Sequence, residues 1–364
     1  MARPGKHVRA LDGVRGVGVG IVVVHHLKVH HLGGLYTGVD LFFALSGFLI
    51  TSSLLRDGVH LRSFWNRRAW RVGPAAAVLL GWYTVVSLWD PARALRLHFA
   101  LAAATQYINI DMANGPPPMS TSPHLGHLWS LAAEIQFYVV WPLVLLVVLR
   151  RHLTPTRVLA LASAIALASA AYRWHLGAAG VSWGRLYFGP DARGTALFVG
   201  AALAGLVRWR DDANPRSLRG LDRFGAFLAY PAIAVFAWYG WTARLDSRPH
   251  LTWGLTLIAL AAGALVLHAS SHRPSPVNRF LASRPVSWVG DISYSLYLWH
   301  VPAIALVLAR WPDISTAAKA AIVVPTSVAL ATASYYFVER PLMSKRRRAA
   351  LWRRSPLSVE TSAA

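Results

Sequence analysis

The stretch HLWSLAAEIQFYVVWPLVLLVVLRR, residues 127–151, decides the fold. Its apolar run from 128 to 149 rises about 33 Å as an α-helix, which matches the ~30 Å hydrocarbon core of a bilayer. The run carries a single carboxylate, Glu134, and ends on Arg150 and Arg151. In lipid every backbone polar group must be satisfied internally, and a helix does so within one segment. Similar runs recur on both sides, near residues 11–29, 37–55, 72–89, 157–174, 186–207, 224–241, 251–268, 288–309 and 316–338. The sequence therefore predicts an all-α, polytopic transmembrane helical bundle of about ten spans. An even number of spans puts both termini on one side. Basic clusters at Arg67, Arg68 and Arg71, at Arg150 and Arg151, at Arg208 and Arg210, and at residues 345–348 make that side the cytoplasm. The Pro-rich loop at 114–123 then falls outside. The moderately apolar segment 94–108 would invert every later loop if it spanned, so it is predicted to be re-entrant or interfacial.

Composition agrees with lipid as the solvent. Of 364 residues, 55% are hydrophobic and 14% charged, against about a quarter charged in a soluble protein. Lys and Arg number 37 against 15 Asp and Glu, a net charge of +22 that by itself suggests nucleic acid. The positive charge instead falls in short clusters between apolar runs, which is membrane topology, and no nucleic-acid partner is expected. The absence of cysteine excludes disulfides, thiolate metal sites and a cysteine acyl-enzyme. Residues 3–9 are basic and precede an apolar run without a small-residue cleavage site, so the first helix is read as retained. The linkers at 208–223 and 270–284 are short and basic. One membrane domain is expected over 1–344, with a basic, disordered cytoplasmic tail over 345–364 and no internal repeat.

An ionisable group at the centre of a membrane helix costs about 2.5–3.5 kcal/mol on insertion scales, so polar residues inside these runs are candidates for function. The first run, LDGVRGVGVGIVVVHH (11–26), holds Asp12, Arg15, His25 and His26. Eleven residues separate Arg15 from His26, which puts them about 20° apart on one helix face and ~16 Å apart along the axis. One elongated substrate would touch both. The second run, GVDLFFALSGFLIT (38–51), places Asp40 and Ser46 among aromatics and is followed by a basic loop. Arg68 and Arg71, at i and i+3, suit phosphate oxygens, although the spacing alone is equally that of ordinary flanking charge. Glu134 and Tyr138 sit at i and i+4 on the quoted helix. Farther on come Asp191 and Arg193 in YFGPDARGTALFVGA, Tyr297 and His300 on one face of SYSLYLWHVPA, and Glu339 and Arg340 in FVERPLM. A histidine hydrogen-bonded between helices is as good an account of His300 as a chemical role.

In their order these segments resemble the acyltransferase 3 family of integral membrane O-acyltransferases. The likeness rests on the Arg15 to His26 spacing, GVDLFFALSGFLIT, the Arg68 and Arg71 pair before Pro74, HLWSLAAEIQFY, SYSLYLWH and FVERP, and it covers residues 9 to about 345. Ile135 departs from it, standing where many relatives carry a second acidic residue. The resemblance implies transfer of an acetyl or short acyl group from acyl-coenzyme A to a hydroxyl of a sugar, glycan or macrolide-type acceptor, with His26 as the central catalytic group and no bound cofactor. It also implies a multi-pass protein of the bacterial cytoplasmic membrane. Arg15, Arg68 and Arg71 would hold the donor's phosphates, and Glu134 or Asp12 would orient the imidazole or an arginine. Asp40, Tyr138 and His300 are expected to contact substrate. Many relatives add an extracytoplasmic esterase domain; with the sequence ending about 25 residues beyond Glu339, none is expected here. A membrane transporter or exporter of a glycan or acylated intermediate is the alternative, since buried charges also line transport paths.

Overall fold

A computed structural model describes residues 8–115, 124–149, 152–212, 215–271 and 273–343. The Pro-rich loop, apart from its first two residues, lies outside the described residues, as do Arg150, Arg151 and the basic tail. Among the described residues every regular element is helical: α1 (Arg9–His26), α2 (Gly38–Asp57), α3 (Leu61–Ser87), α4 (Arg93–Ala104), α5 (Ile108–Asn114), α6 (Trp129–Val148), α7 (Pro155–Ala178), α8 (Trp183–Phe188), α9 (Pro190–Arg193), α10 (Thr195–Asp212), α11 (Pro215–Thr242), α12 (Leu255–Ser270), α13 (Pro276–Leu281), α14 (Arg284–Asp291), α15 (Ser293–Arg310) and α16 (Thr316–Ser334).

Six of the helical segments are long and apolar enough to cross a membrane, and α14 with α15 makes a seventh if that bent pair is one span. The other three predicted spans coincide with α1, α3 and α10. These helices carry Asp12 and Arg15, Arg68 and Arg71, and Arg208 to Asp212, charges that lower their mean apolarity. The outward side chains of the peripheral helices are those lipid accepts: Leu167 and Trp174 on α7, Phe227 and Trp238 on α11, and Phe337 beyond α16 are all exposed. α2 and α12 are the most enclosed spans, at 67% and 61% buried, against 22% for α7 and for the α16 segment.

Three features differ from the sequence expectation. The run at 186–207 is not one span but three pieces, because Pro190 opens α9 after the extended backbone of Gly189, and Gly194 separates α9 from α10. The run at 288–309 bends by 72° between α14 and α15. The third helix begins at Leu61 rather than near residue 72, so the basic stretch that was to precede it is helix, and Arg68 and Arg71, expected at its cytoplasmic end, lie about two to three turns inside it. The segment at 94–108 forms α4 and the start of α5, turning through a left-handed Gln106 (φ 59°). At 12 residues α4 is ~18 Å long, too short to cross.

Close backbone approach fixes the helices that carry the site. A Cβ on Gly47 of α2 would stand 1.9 Å from the Leu197 carbonyl, and one on Gly200 of α10 would stand 1.9 Å from the Ala44 carbonyl. Reciprocal glycines therefore let α2 and α10 touch main chain to main chain, a packing common between membrane helices. Polar ties add orientation. Trp141 Nε1 donates to Thr51 Oγ1 (2.8 Å) between α6 and α2, Trp65 Nε1 to the Tyr138 carbonyl (3.0 Å) between α3 and α6, and the Tyr294 hydroxyl to the Val72 carbonyl (2.6 Å) between α15 and α3.

Candidate active site

The helices leave two cavities, and Tyr297 of α15 lines both.

The first cavity is cationic. Arg15, Arg68 and Arg71 line it together with Ser46, Glu134 and Tyr138. α1 supplies Arg15, whose Nη1 donates to Asp12 Oδ1 at 3.1 Å one turn earlier. The i, i+3 spacing of Arg68 and Arg71 puts both on the inward face of α3, while Arg67 points away and binds Ser63. Glu134 accepts from the Ser46 and Tyr138 hydroxyls, and the Arg68 guanidinium lies 5.4 Å from the centre of the Tyr138 ring. Among the described residues neither Arg68 nor Arg71 forms an ion pair, so the guanidinium forks keep donors for a ligand. Glu339, on the π-helical turn Tyr335–Glu339, is buried nearby and accepts from Ser295.

The second cavity is lined by imidazoles and aromatic rings: His25, His26, His127, Tyr36, Trp129 and Tyr187. His26, the last residue of α1, lies 2.9 Å through Nδ1 from the Val22 carbonyl. Because a carbonyl only accepts, Nδ1 carries the hydrogen and Nε2 keeps a lone pair. His127 is buried, and among the described residues neither of its ring nitrogens makes a hydrogen bond of good geometry. Between the cavities the Tyr297 hydroxyl donates to the His127 carbonyl and lies 2.9 Å from Ser130 Oγ. The described residues hold no group of three His, Asp or Glu side chains spaced for a metal ion.

The sequence candidates thus divide. Arg15, Arg68, Arg71, Glu134 and Tyr138 share the cationic cavity, and His26 stands in the other. Neither Glu134 nor Asp12 hydrogen-bonds to His26: Glu134 holds two hydroxyls and Asp12 holds Arg15. Asp40 lines neither cavity. It is fully buried, and its two oxygens accept from Arg193 Nη1 and Nη2 at 2.7 and 2.9 Å. His300 also lines neither cavity; it stands behind His26. Asp191, beside Arg193 in sequence, pairs with Arg185 instead (2.6 Å). Sequence reading missed Ser130, and it noted Tyr297 and His127 without giving either a role. Tyr297 and Ser130 are common residue types in membrane helices, and only their placement between two cavities marks them.

Fold and site together make this a multi-helix membrane-type protein with an arginine-lined cavity and a histidine-lined cavity that share Tyr297. Residues 8–336 match the family Acyl_transf_3, described as an acyltransferase domain, and the chain belongs to this family. It is 29% identical over 361 residues to the peptidoglycan O-acetyltransferase OatA of Listeria monocytogenes, covering 93% of this chain and 56% of that protein. It is 29% identical over 358 residues to the O-acetyltransferase OatA of Staphylococcus aureus, covering 93% of this chain and 58% of that one. The chain spans about half the length of these curated relatives. No solved structure matches it.

Proposed function

We propose that the protein is an integral membrane O-acyltransferase that carries an acetyl or short acyl group from acyl-coenzyme A to a hydroxyl of a glycan. The observation that carries this reading is the pair of cavities meeting at Tyr297. Three arginines suit the phosphates of a coenzyme A donor, and the ~16 Å along α1 from Arg15 to His26 suits its extended pantetheine arm. The aromatic walls of the second cavity offer apolar faces to a sugar ring, and the names of the relatives favour a cell-wall glycan as acceptor. A macrolide sugar would present the same hydroxyl chemistry. The family match weighs against the transporter alternative.

In this reading the acceptor hydroxyl donates to His26 Nε2 and its oxygen attacks the thioester carbonyl carbon. The hydroxyl proton passes to Nε2 as the new C–O bond forms. Collapse of the tetrahedral intermediate re-forms the carbonyl and breaks the C–S bond, and the departing thiolate takes the proton from His26. Glu134, with Ser46 and Tyr138, holds the wall beneath Arg68. Both termini are cytoplasmic and the protein crosses a bacterial cytoplasmic membrane about ten times, so Arg15, Arg68 and Arg71 lie toward the coenzyme pool and His26 toward the outer leaflet.

Release of coenzyme A from radiolabelled acetyl-coenzyme A by purified protein in detergent tests the reading. Slow turnover, even into water, that falls by about 10²–10⁴-fold in His26→Ala is the expected result. No release from folded protein with any short acyl donor, or unaltered release after His26→Ala, overturns it.

A further inference from the structure

Among the described residues His300 is the one side chain hydrogen-bonded to His26, and its own hydrogen bonds fix which of its nitrogens faces that partner. Its Nδ1 lies 2.7 Å from the Tyr297 carbonyl and 3.2 Å from the Leu296 carbonyl. Two acceptors at one nitrogen require the hydrogen there, so in the neutral ring Nε2 is left with a lone pair. That Nε2 lies 3.3 Å from His26 Nδ1, whose hydrogen the Val22 carbonyl also accepts. The His26 N–H is therefore shared between a helix carbonyl and the lone pair of a second imidazole. The rings meet edge to face, with centroids 4.9 Å apart, and His300 has no exposed surface.

We infer that His300 is a positioning residue for His26, an imidazole standing where a carboxylate stands in a Ser-His-Asp arrangement. The inference rests on the reading of His26 as the base. The order of bonds runs from the Tyr297 carbonyl through His300 to His26, with the carbonyl contacts setting the hydrogen on Nδ1 of each ring, and the reacting hydroxyl would extend it at His26 Nε2. When His26 Nε2 takes the proton, the ring becomes an imidazolium and its Nδ1–H a stronger donor. The His300 lone pair, on a ring with no exposed surface, accepts that strengthened bond. A neutral partner suits this depth, because a carboxylate against His26 would itself be a buried charge. Tyr297, three residues before His300, lines both cavities while its carbonyl holds His300, so one turn of α15 shapes the passage and orients the base.

Two measurements test this. Nitrogen-15 NMR of histidine-labelled protein in lipid reads the tautomers directly, with His26 and His300 assigned by the signals lost in His26→Gln and His300→Gln. Both are expected to carry hydrogen on Nδ1 and a lone pair on Nε2; hydrogen on Nε2 of either ring overturns the inference whatever the enzyme does. In turnover, His300→Leu is expected to lower kcat by about 10- to 100-fold with little change in KM. His300→Gln, whose side-chain carbonyl accepts where Nε2 did, is expected to keep kcat within about threefold of wild type. Equal losses in the two variants at unchanged melting temperature, or none in either, overturn it. A fully active His26→Ala protein instead refutes the role of His26 as the base and leaves the tautomer result standing.

Discussion

Asp40 and Glu134 both put a carboxylate inside the bundle near an arginine, and they meet opposite fates. Asp40 is closed off: both oxygens take a guanidinium N–H from Arg193, whose charge also lies 4.9–5.7 Å from the ring centres of Phe43, Trp129 and Tyr187. The pair lines neither cavity, and Arg193 Nε has no hydrogen-bond partner among the described residues. Glu134 takes hydroxyls from Ser46 and Tyr138 instead, so the neighbouring Arg68 and Arg71 face a cavity without a partner carboxylate. The difference teaches how to read charge in lipid. A satisfied pair holds helices together, whereas a cation whose natural partner is occupied elsewhere is kept for a ligand.

The largest effect expected from this contrast is on folding. Arg193→Ala leaves Asp40 buried and unpaired and should destabilise the protein by about 3–5 kcal/mol, seen as a lowered melting temperature in detergent. The double change Asp40→Leu with Arg193→Met should recover most of that loss. Retained activity in the double variant would confirm that the pair is structural, and a folded but inactive double variant would return Asp40 to the site. A smaller effect, on activity rather than folding, is expected at Glu134. Glu134→Ala removes the acceptor for two buried hydroxyls, frees Tyr138 beneath Arg68 and should raise the donor KM about tenfold. Glu134→Gln, which still accepts, should lie between that variant and wild type. The smallest effect belongs to Asp12, which holds Arg15 at the edge of the cavity; Asp12→Asn should shift donor KM by no more than about threefold.

Much of this was legible in the sequence, for physical reasons. Apolar runs the length of a bilayer located the long helices, because lipid leaves the backbone few alternatives to a helix. The i, i+3 spacing placed Arg68 and Arg71 on one face, and the Arg15 to His26 spacing placed its two ends in two adjoining cavities. What stayed hidden depends on contacts between distant segments. That Asp40 meets Arg193 follows from the breaks at Gly189 and Gly194, which a smooth hydropathy profile does not register. Of the two carboxylates expected to orient the imidazole or an arginine, Asp12 holds Arg15 and Glu134 holds two hydroxyls, and neither reaches His26. The partner of His26 is a histidine 274 positions away on α15, and no local pattern reports that pairing.

The central claim is that the donor's phosphates and the base occupy separate cavities, and binding of coenzyme A itself to purified wild-type, Arg68→Ala and His26→Ala protein tests it most directly. The account predicts that Arg68→Ala weakens binding about tenfold or more while His26→Ala binds within about twofold of wild type. Equal weakening by both changes, or unchanged binding after Arg68→Ala, would contradict it.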